Sequence, residues 1–134
     1  MSACVLDTDL VIAALDRSDG HHREAARAIA AMLEDDIEML VSTVNYAEAL
    51  VRPAEDEQAL PAAVDAIAAL GIRPIPPTAT IARDAARYRS LNVSLADGFA
   101  LATARARSSS VASFDRRVRR AMADLGIEAP TQMG

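Results

Sequence analysis

The sequence predicts an α/β protein, a three-layer α/β/α sandwich in which helices cover both faces of a central parallel sheet. Three observations carry this. Short, wholly apolar runs such as residues 3–6 alternate with longer amphipathic segments, the pattern of strands buried on both faces and joined by helical crossovers. The chain has no Trp, two Phe, two Tyr and abundant Ala, so its core is built from Leu, Ile, Val and Ala, a composition that lets helices approach closely. At 134 residues it is long enough to bury one core but marginal for two, so residues 1–134 are expected to form one domain.

The elements follow in order. Residues 3–6 form a continuous apolar run ending at Asp7, which reads as a doubly buried strand. A helix is expected just after it, through residues 10–15. Residues 16–20 are turn-like, and 22–34 read as a helix because Ala26, Ile29, Ala30 and Leu33 share a face. Residues 37–42 are a second strand. Thr43 opens a helix to about Arg52, where Pro53 prevents continuation, and 55–70 is another, ended by Gly71. Residues 72–75 are a third strand. Pro76 and Pro77 lead into a helix over 78–91, and Ser94 opens one to about Arg107. Residues 111–114 are a fourth strand, 115–125 a last helix, and 127–129 a short strand-like end.

Composition excludes several function classes. No stretch approaches the roughly 18 to 20 uncharged apolar residues a membrane span requires. The N-terminus lacks a basic segment followed by an apolar stretch, so secretion is not expected. The single cysteine, Cys4, cannot make an internal disulfide, which suits a reducing cytoplasm. There is no Cys/His zinc framework, no G-x-x-x-x-G-K-[ST] or G-x-G-x-x-G phosphate loop and no G-x-S-x-G elbow, so nucleotide switching and serine hydrolysis lose their main support.

The net charge of −5 hides a division: residues 1–70 carry 14 acids against 4 Arg, and residues 71–134 carry 10 Arg against 5 acids. All basic residues are Arg, whose guanidinium suits bidentate contact with carboxylate or phosphate; a GC-rich coding bias accounts equally for the Arg and Ala excess. Arg105, Arg107, Arg116, Arg117, Arg119 and Arg120 lie within 16 positions, either a solvated face or a phosphate-contacting one.

Four acids fall at element ends, where an open parallel sheet binds its ligands. Asp7 terminates the first strand, Glu48 follows the second by less than two helical turns, Asp115 follows the apolar run 111–114, and Asp97 lies in the first turn of its helix. Each also has a structural reading. Ser94-Leu95-Ala96-Asp97 matches a capping box, and Asp7 and Asp115 suit N-caps. Glu48 shares a helical face with Val44 and Val51, so it is expected to need a partner, for which Arg52 at i+4 is the nearest basic group. Together, four converging acids repel one another unless protons, Arg or cations neutralise them. An all-oxygen set suits Mg²⁺ or Mn²⁺, and such ions commonly bind phosphate as well. His21 and His22, the only histidines, are adjacent and cannot share a helix face as ligands; a place on the surface near a helix start is expected.

Val5-Leu6-Asp7-Thr8-Asp9, Ser42-Thr43 followed by Tyr46-Ala47-Glu48, Ser94-Leu95-Ala96-Asp97 ahead of an Ala-rich helix, and Ser113-Phe114-Asp115-Arg116 resemble the motifs of PIN-domain nucleases. In order, spacing and length the chain most resembles the VapC toxins of bacterial toxin–antitoxin pairs, and the resemblance spans almost all of it. It implies an acidic Mg²⁺ or Mn²⁺ pocket formed by Asp7, Glu48, Asp97 and Asp115, with Asp7 and Asp97 in the most characteristic ligand positions and Thr8, Asp9, Thr43 and Ser113 beside them. It further implies a cytoplasmic, homodimeric endoribonuclease that cleaves a structured RNA (tRNA, rRNA or mRNA) and is held inactive by a small VapB-like antitoxin whose tail enters the pocket. Arg105, Arg107, Arg116 and Arg117 are then expected to contact RNA. Two positions depart from the family pattern: Asp9 stands where Ser or Asn is usual, and Arg117 where many relatives have another acid. A housekeeping RNA-processing nuclease and a non-catalytic acidic-cleft interaction module are the alternative functions.

Overall fold

Strands β1 (Ala3–Leu6), β2 (Glu38–Ser42), β3 (Ile72–Ile75) and β4 (Ser110–Ala112) form one parallel sheet in the order β3-β2-β1-β4. The structure is a computed structural model and describes residues 2–134. Val5 pairs with Leu40 on one side and Val111 on the other, and Met39 with Ile72. Strand alternation sends Cys4, Leu6, Met39, Val41 and Ala112 to one face, where α1 (Thr8–Leu15), α2 (His22–Glu34), α3 (Thr43–Leu50) and α4 (Ala59–Ala69) bury Leu10, Ile29, Met32, Ala49 and Ile67 against them. Val5, Leu40 and Val111 point to the other face, under α5 (Ala79–Arg87), α6 (Leu95–Ala106) and α7 (Arg116–Leu125), with Ala85, Leu101, Ala104 and Val118 fully buried between. The three layers and the parallel sheet are those the sequence predicts. Among the described residues, no helix is long and apolar enough to cross a membrane.

Several boundaries differ from the sequence pattern. The helix expected to reach Arg52 ends at Leu50, and the one expected from residue 55 begins only at Ala59. Between them Pro53–Glu55 makes a 3₁₀ turn, and Asp56 is extended, its carboxylate accepting the Gln58 N–H at 3.0 Å; this side-chain turn competes with helix continuation. The helix expected over 78–91 is α5 followed by a 3₁₀ turn over Tyr88–Leu91, which stops where Asn92 adopts φ 62°. Residues 127–129 are not a strand: Glu128 contributes a single ladder-like bond, accepting the Val111 N–H at 3.1 Å, before Pro130. The second strand starts at Glu38 rather than Ile37, because Asp36 turns the chain at φ 56°. The fourth ends at Ala112, releasing Ser113 and Phe114 from the ladder.

Candidate active site

The strand order reverses beside β1. The chain builds outward from β1 through β2 to β3, then returns to place β4 on the opposite side. In an open parallel sheet the crevice beyond the strand ends at such a reversal is where ligands bind, and it is bordered here by Asp7 and by Ser113–Phe114–Asp115.

Asp7 continues the ladder, donating its N–H to Ala112 O at 3.0 Å, and then caps α1 with Oδ1 accepting Thr8 N–H at 2.9 Å. The residue is 2 % exposed. Burial, the charge of Asp9 and, more weakly, that of Asp97 push its pKa from 3.8 up to about 7, against the opposing hydrogen bonds from Ser113 and Thr8. Asp9, one position into α1, is also raised, chiefly by burial, with the charges of Asp115 and Asp97 adding to it while the Phe114 N–H at 3.0 Å opposes. Its second oxygen, Oδ1, is buried without a hydrogen-bond partner among the described residues.

Ser113 ties these acids together. Its Oγ donates to Asp7 Oδ2 at 2.8 Å, lies 3.5 Å from Asp9 Oδ2 and accepts Asp115 N–H at 3.1 Å. Asp115 is exposed and caps α7, accepting Arg117 N–H at 2.8 Å. Arg119 Nε donates to Ser113 O at 2.9 Å and so braces this turn from within α7. Asp97 closes a reciprocal capping box with Ser94, both bonds 3.1 Å, using only Oδ2. Asp7 and Asp115 thus cap helices and Asp97 completes a capping box, while Asp97 adds to the charge felt by Asp7, and Asp97 and Asp115 to that felt by Asp9.

Glu48 differs from its expected setting. It is exposed, Val51 beside it is 63 % exposed, and the inward face of α3 is Asn45 and Ala49. Among the described residues it makes no ion pair with Arg52; instead Thr8 Oγ1 donates to its Oε1 at 2.6 Å. Thr8 in turn accepts from Asn45 Nδ2 at 3.0 Å, and the same amide donates to Ala96 O at 3.1 Å. Fully buried Asn45 thus links the segments carrying Asp7, Glu48 and Asp97, a role the sequence analysis missed. A lone polar residue on the α3 face that also carries Ala49 was the available signal. Thr43 opens α3, while its neighbour Ser42 provides the cap, accepting Val44 N–H at 3.3 Å.

Arg116 and Arg117 start α7 beside Asp115. Arg105 and Arg107 lie at the other end of α6 from Asp97, roughly 12 to 15 Å along the helix. Arg105 borders a separate cavity of about 440 Å³ with Ser108 and Ser110 at the start of β4.

Among the described residues, no three His, Cys, Asp or Glu side chains are grouped so that they could hold a metal ion. The donors that these acids offer, though, are of the kind a hard cation takes. They are all oxygen, none of the four acids nor Asp9 is ion-paired with an arginine among the described residues, and Asp9 Oδ1 is a buried acceptor without a donor.

The profile of the PIN domain matches residues 4–123. The chain belongs to the PIN-domain family. Its fold is similar to that of VapC20 from Mycobacterium tuberculosis, a sarcin–ricin loop cleaving toxin, with a TM-score of 0.69 and 19 % identity over 88 % of this chain and 94 % of that one. VapBC-1 from nontypeable Haemophilus influenzae gives 0.72 and 13 % over 98 % and 99 %, and FitAcB from Neisseria gonorrhoeae gives 0.63 and 20 % over 96 % and 97 %. At these identities the likeness shows a shared PIN fold. No curated protein matches the chain in sequence.

Proposed function

We propose that this PIN domain is a Mg²⁺- or Mn²⁺-dependent endoribonuclease, the cytoplasmic toxin of a toxin–antitoxin pair, that cleaves a structured RNA and so inhibits translation. One observation carries the reading. A carboxyl group is buried at the sheet's reversal point and, among the described residues, pairs with no basic side chain; burial first and the charge of Asp9 second push its pKa up to about 7, an arrangement that a divalent cation would relieve.

Asp7 and Asp97 would hold the cation, with Asp115 and Asp9 adding charge. Such an ion, when bound, offsets charge on the scissile phosphate and makes water more acidic. The side chains do the rest. Ser113 fixes the Asp7 carboxylate, and Thr8 fixes exposed Glu48, which would orient an attacking water and take its proton. Arg116 and Arg117 are exposed at the same end of the sheet and suit the phosphodiester backbone, which positions an RNA without reading its sequence.

The similarity to VapC20, a toxin that cleaves the sarcin–ricin loop, supports RNA as substrate. A VapB-like antitoxin is part of the proposal: an acidic crevice accepts a partner's arginine in place of metal, and an apolar groove with exposed Ile12 and Val51 runs up to Glu48. A homodimer is proposed with it.

Replacing Asp7 or Asp97 by Asn is expected to abolish RNA cleavage and growth inhibition while circular dichroism shows the fold intact. Full cleavage by both variants would overturn the reading. A housekeeping nuclease shares this outcome and is distinguished by the absence of an adjacent small antitoxin gene. The open arrangement of the acids also suits a non-catalytic cleft for an arginine-rich partner, and an unaltered protein that binds that partner but neither divalent metal nor RNA would establish it.

A further inference from the structure

Resting on the nuclease reading, we propose that His21 and Phe114 form a stacking shelf for an unpaired RNA base beside the cleavage site, making His21 a substrate-positioning residue. The two rings lie face to face, centroids 4.3 Å apart and planes 11° from parallel. Phe114 belongs to the acidic turn itself. It follows Ser113, precedes Asp115 and donates its N–H to Asp9 at 3.0 Å, so the shelf is fixed one residue from Asp115, an acid of the proposed site.

His21 is placed there by the loop before α2. It occupies the N-cap position, where a polar side chain ordinarily caps the helix, but its side chain makes no capping bond. Its backbone is held instead: Asp19 Oδ1 accepts its N–H at 2.8 Å, and its carbonyl accepts Ala25 N–H at 2.9 Å. Half-buried His22, expected at the surface, pins the same loop to α1 through Nδ1 and Ala13 O, 2.7 Å apart. With its backbone fixed and its ring resting on Phe114, the His21 side chain stays 54 % exposed.

The other aromatic side chains are elsewhere engaged. Tyr46 packs on the core under α1 to α4, while Tyr88 and Phe99 pack under α5 to α7. The paucity of aromatic residues argues against readout of long single strands, but one ordered shelf suits one base. Unpaired bases in RNA loops and bulges are bound by stacking on aromatic rings, largely irrespective of base identity. Arg116, next after Asp115 and exposed, would hold the adjoining phosphate.

The test compares unaltered protein with His21→Ala and His21→Trp in steady-state cleavage of a structured RNA whose cut lies in an unpaired loop, and in binding of the same RNA carrying 2-aminopurine at loop positions flanking the cut. His21→Ala is expected to raise KM about tenfold with kcat little changed, while His21→Trp restores KM, as loss and return of one base–aromatic stack require. 2-Aminopurine fluorescence is quenched by the unaltered protein and His21→Trp but not by His21→Ala, and an RNA lacking that base no longer distinguishes the proteins. Cleavage with the same KM in all three, or a His21→Ala defect that persists in full on the abasic RNA, would overturn the shelf while leaving the nuclease reading intact. An unaltered protein that neither cleaves nor binds RNA would remove both.

Discussion

Asp7 is held where a charge is poorly tolerated, and this links its chemistry to stability. Unfolded, it ionises near 3.8; folded, it keeps its proton to about 7. The folded state's preference for the protonated acid therefore contributes stability in full below pH 4, which is lost as pH rises through 7, an effect on the order of a few kcal/mol. Asn mimics the protonated acid, accepting Thr8 N–H with its oxygen and donating to Ser113. In metal-free protein, Asp7→Asn is expected to raise the thermal unfolding midpoint at about pH 8 and to leave it nearly unchanged at about pH 4; equal shifts at both, or a loss at pH 8, would contradict this. Asp7, Asp97 and Asp115 were legible in the sequence because each stands at a strand end or helix start. The exposure of Glu48 was not, since its neighbours Val44 and Val51 suggested an inward face that α3 instead gives to Asn45 and Ala49. Asn45 itself bonds across the fold, to Thr8 and Ala96, partners that periodicity within one helix does not reveal.

At the scale of elements, α6 carries Asp97 on a helix pressed against α5 through Gly98. A Cβ there would lie 2.7 Å from the Ala85 carbonyl oxygen and 3.3 Å from its Cα, contacts with backbone that no rotamer relieves. Gly98→Ala is therefore expected to destabilise the protein by about 1–3 kcal/mol and, by moving the residue next to it, to weaken divalent metal binding. Chemical denaturation and metal titration of the same variant check both; unchanged stability would mean the two helices separate freely. The strands were legible because doubly buried runs are apolar throughout, and helix starts because Ser94 and Thr78 cap them. The lost turns between Leu50 and Ala59 and beyond Arg87 were not, because side-chain turns and a left-handed Asn92 decide them locally. The 127–129 segment looked like a strand by composition, yet it shares one backbone bond with β4 and cannot extend past Pro130.

Over the whole molecule, sheet order and charge act together. Acids from both halves of the sequence stand at strand ends and helix starts around β1, which separates β2 from β4, and the arginines of α7 follow Asp115 there. The charge division between the two halves was visible in the sequence, but the order β3-β2-β1-β4, which makes β1 and β4 neighbours, was not, because it depends on long-range pairing. Whether these acids hold a divalent cation is read most directly by calorimetric titration of Mn²⁺, above pH 7, into the unaltered protein and Asp97→Asn, whose amide oxygen can still accept the Ser94 N–H of the capping box. The expected result is saturable binding by the unaltered protein at millimolar metal or below, and binding weaker by about tenfold or more in the variant. No binding by the unaltered protein near millimolar Mn²⁺, or equal binding by the two, would contradict it.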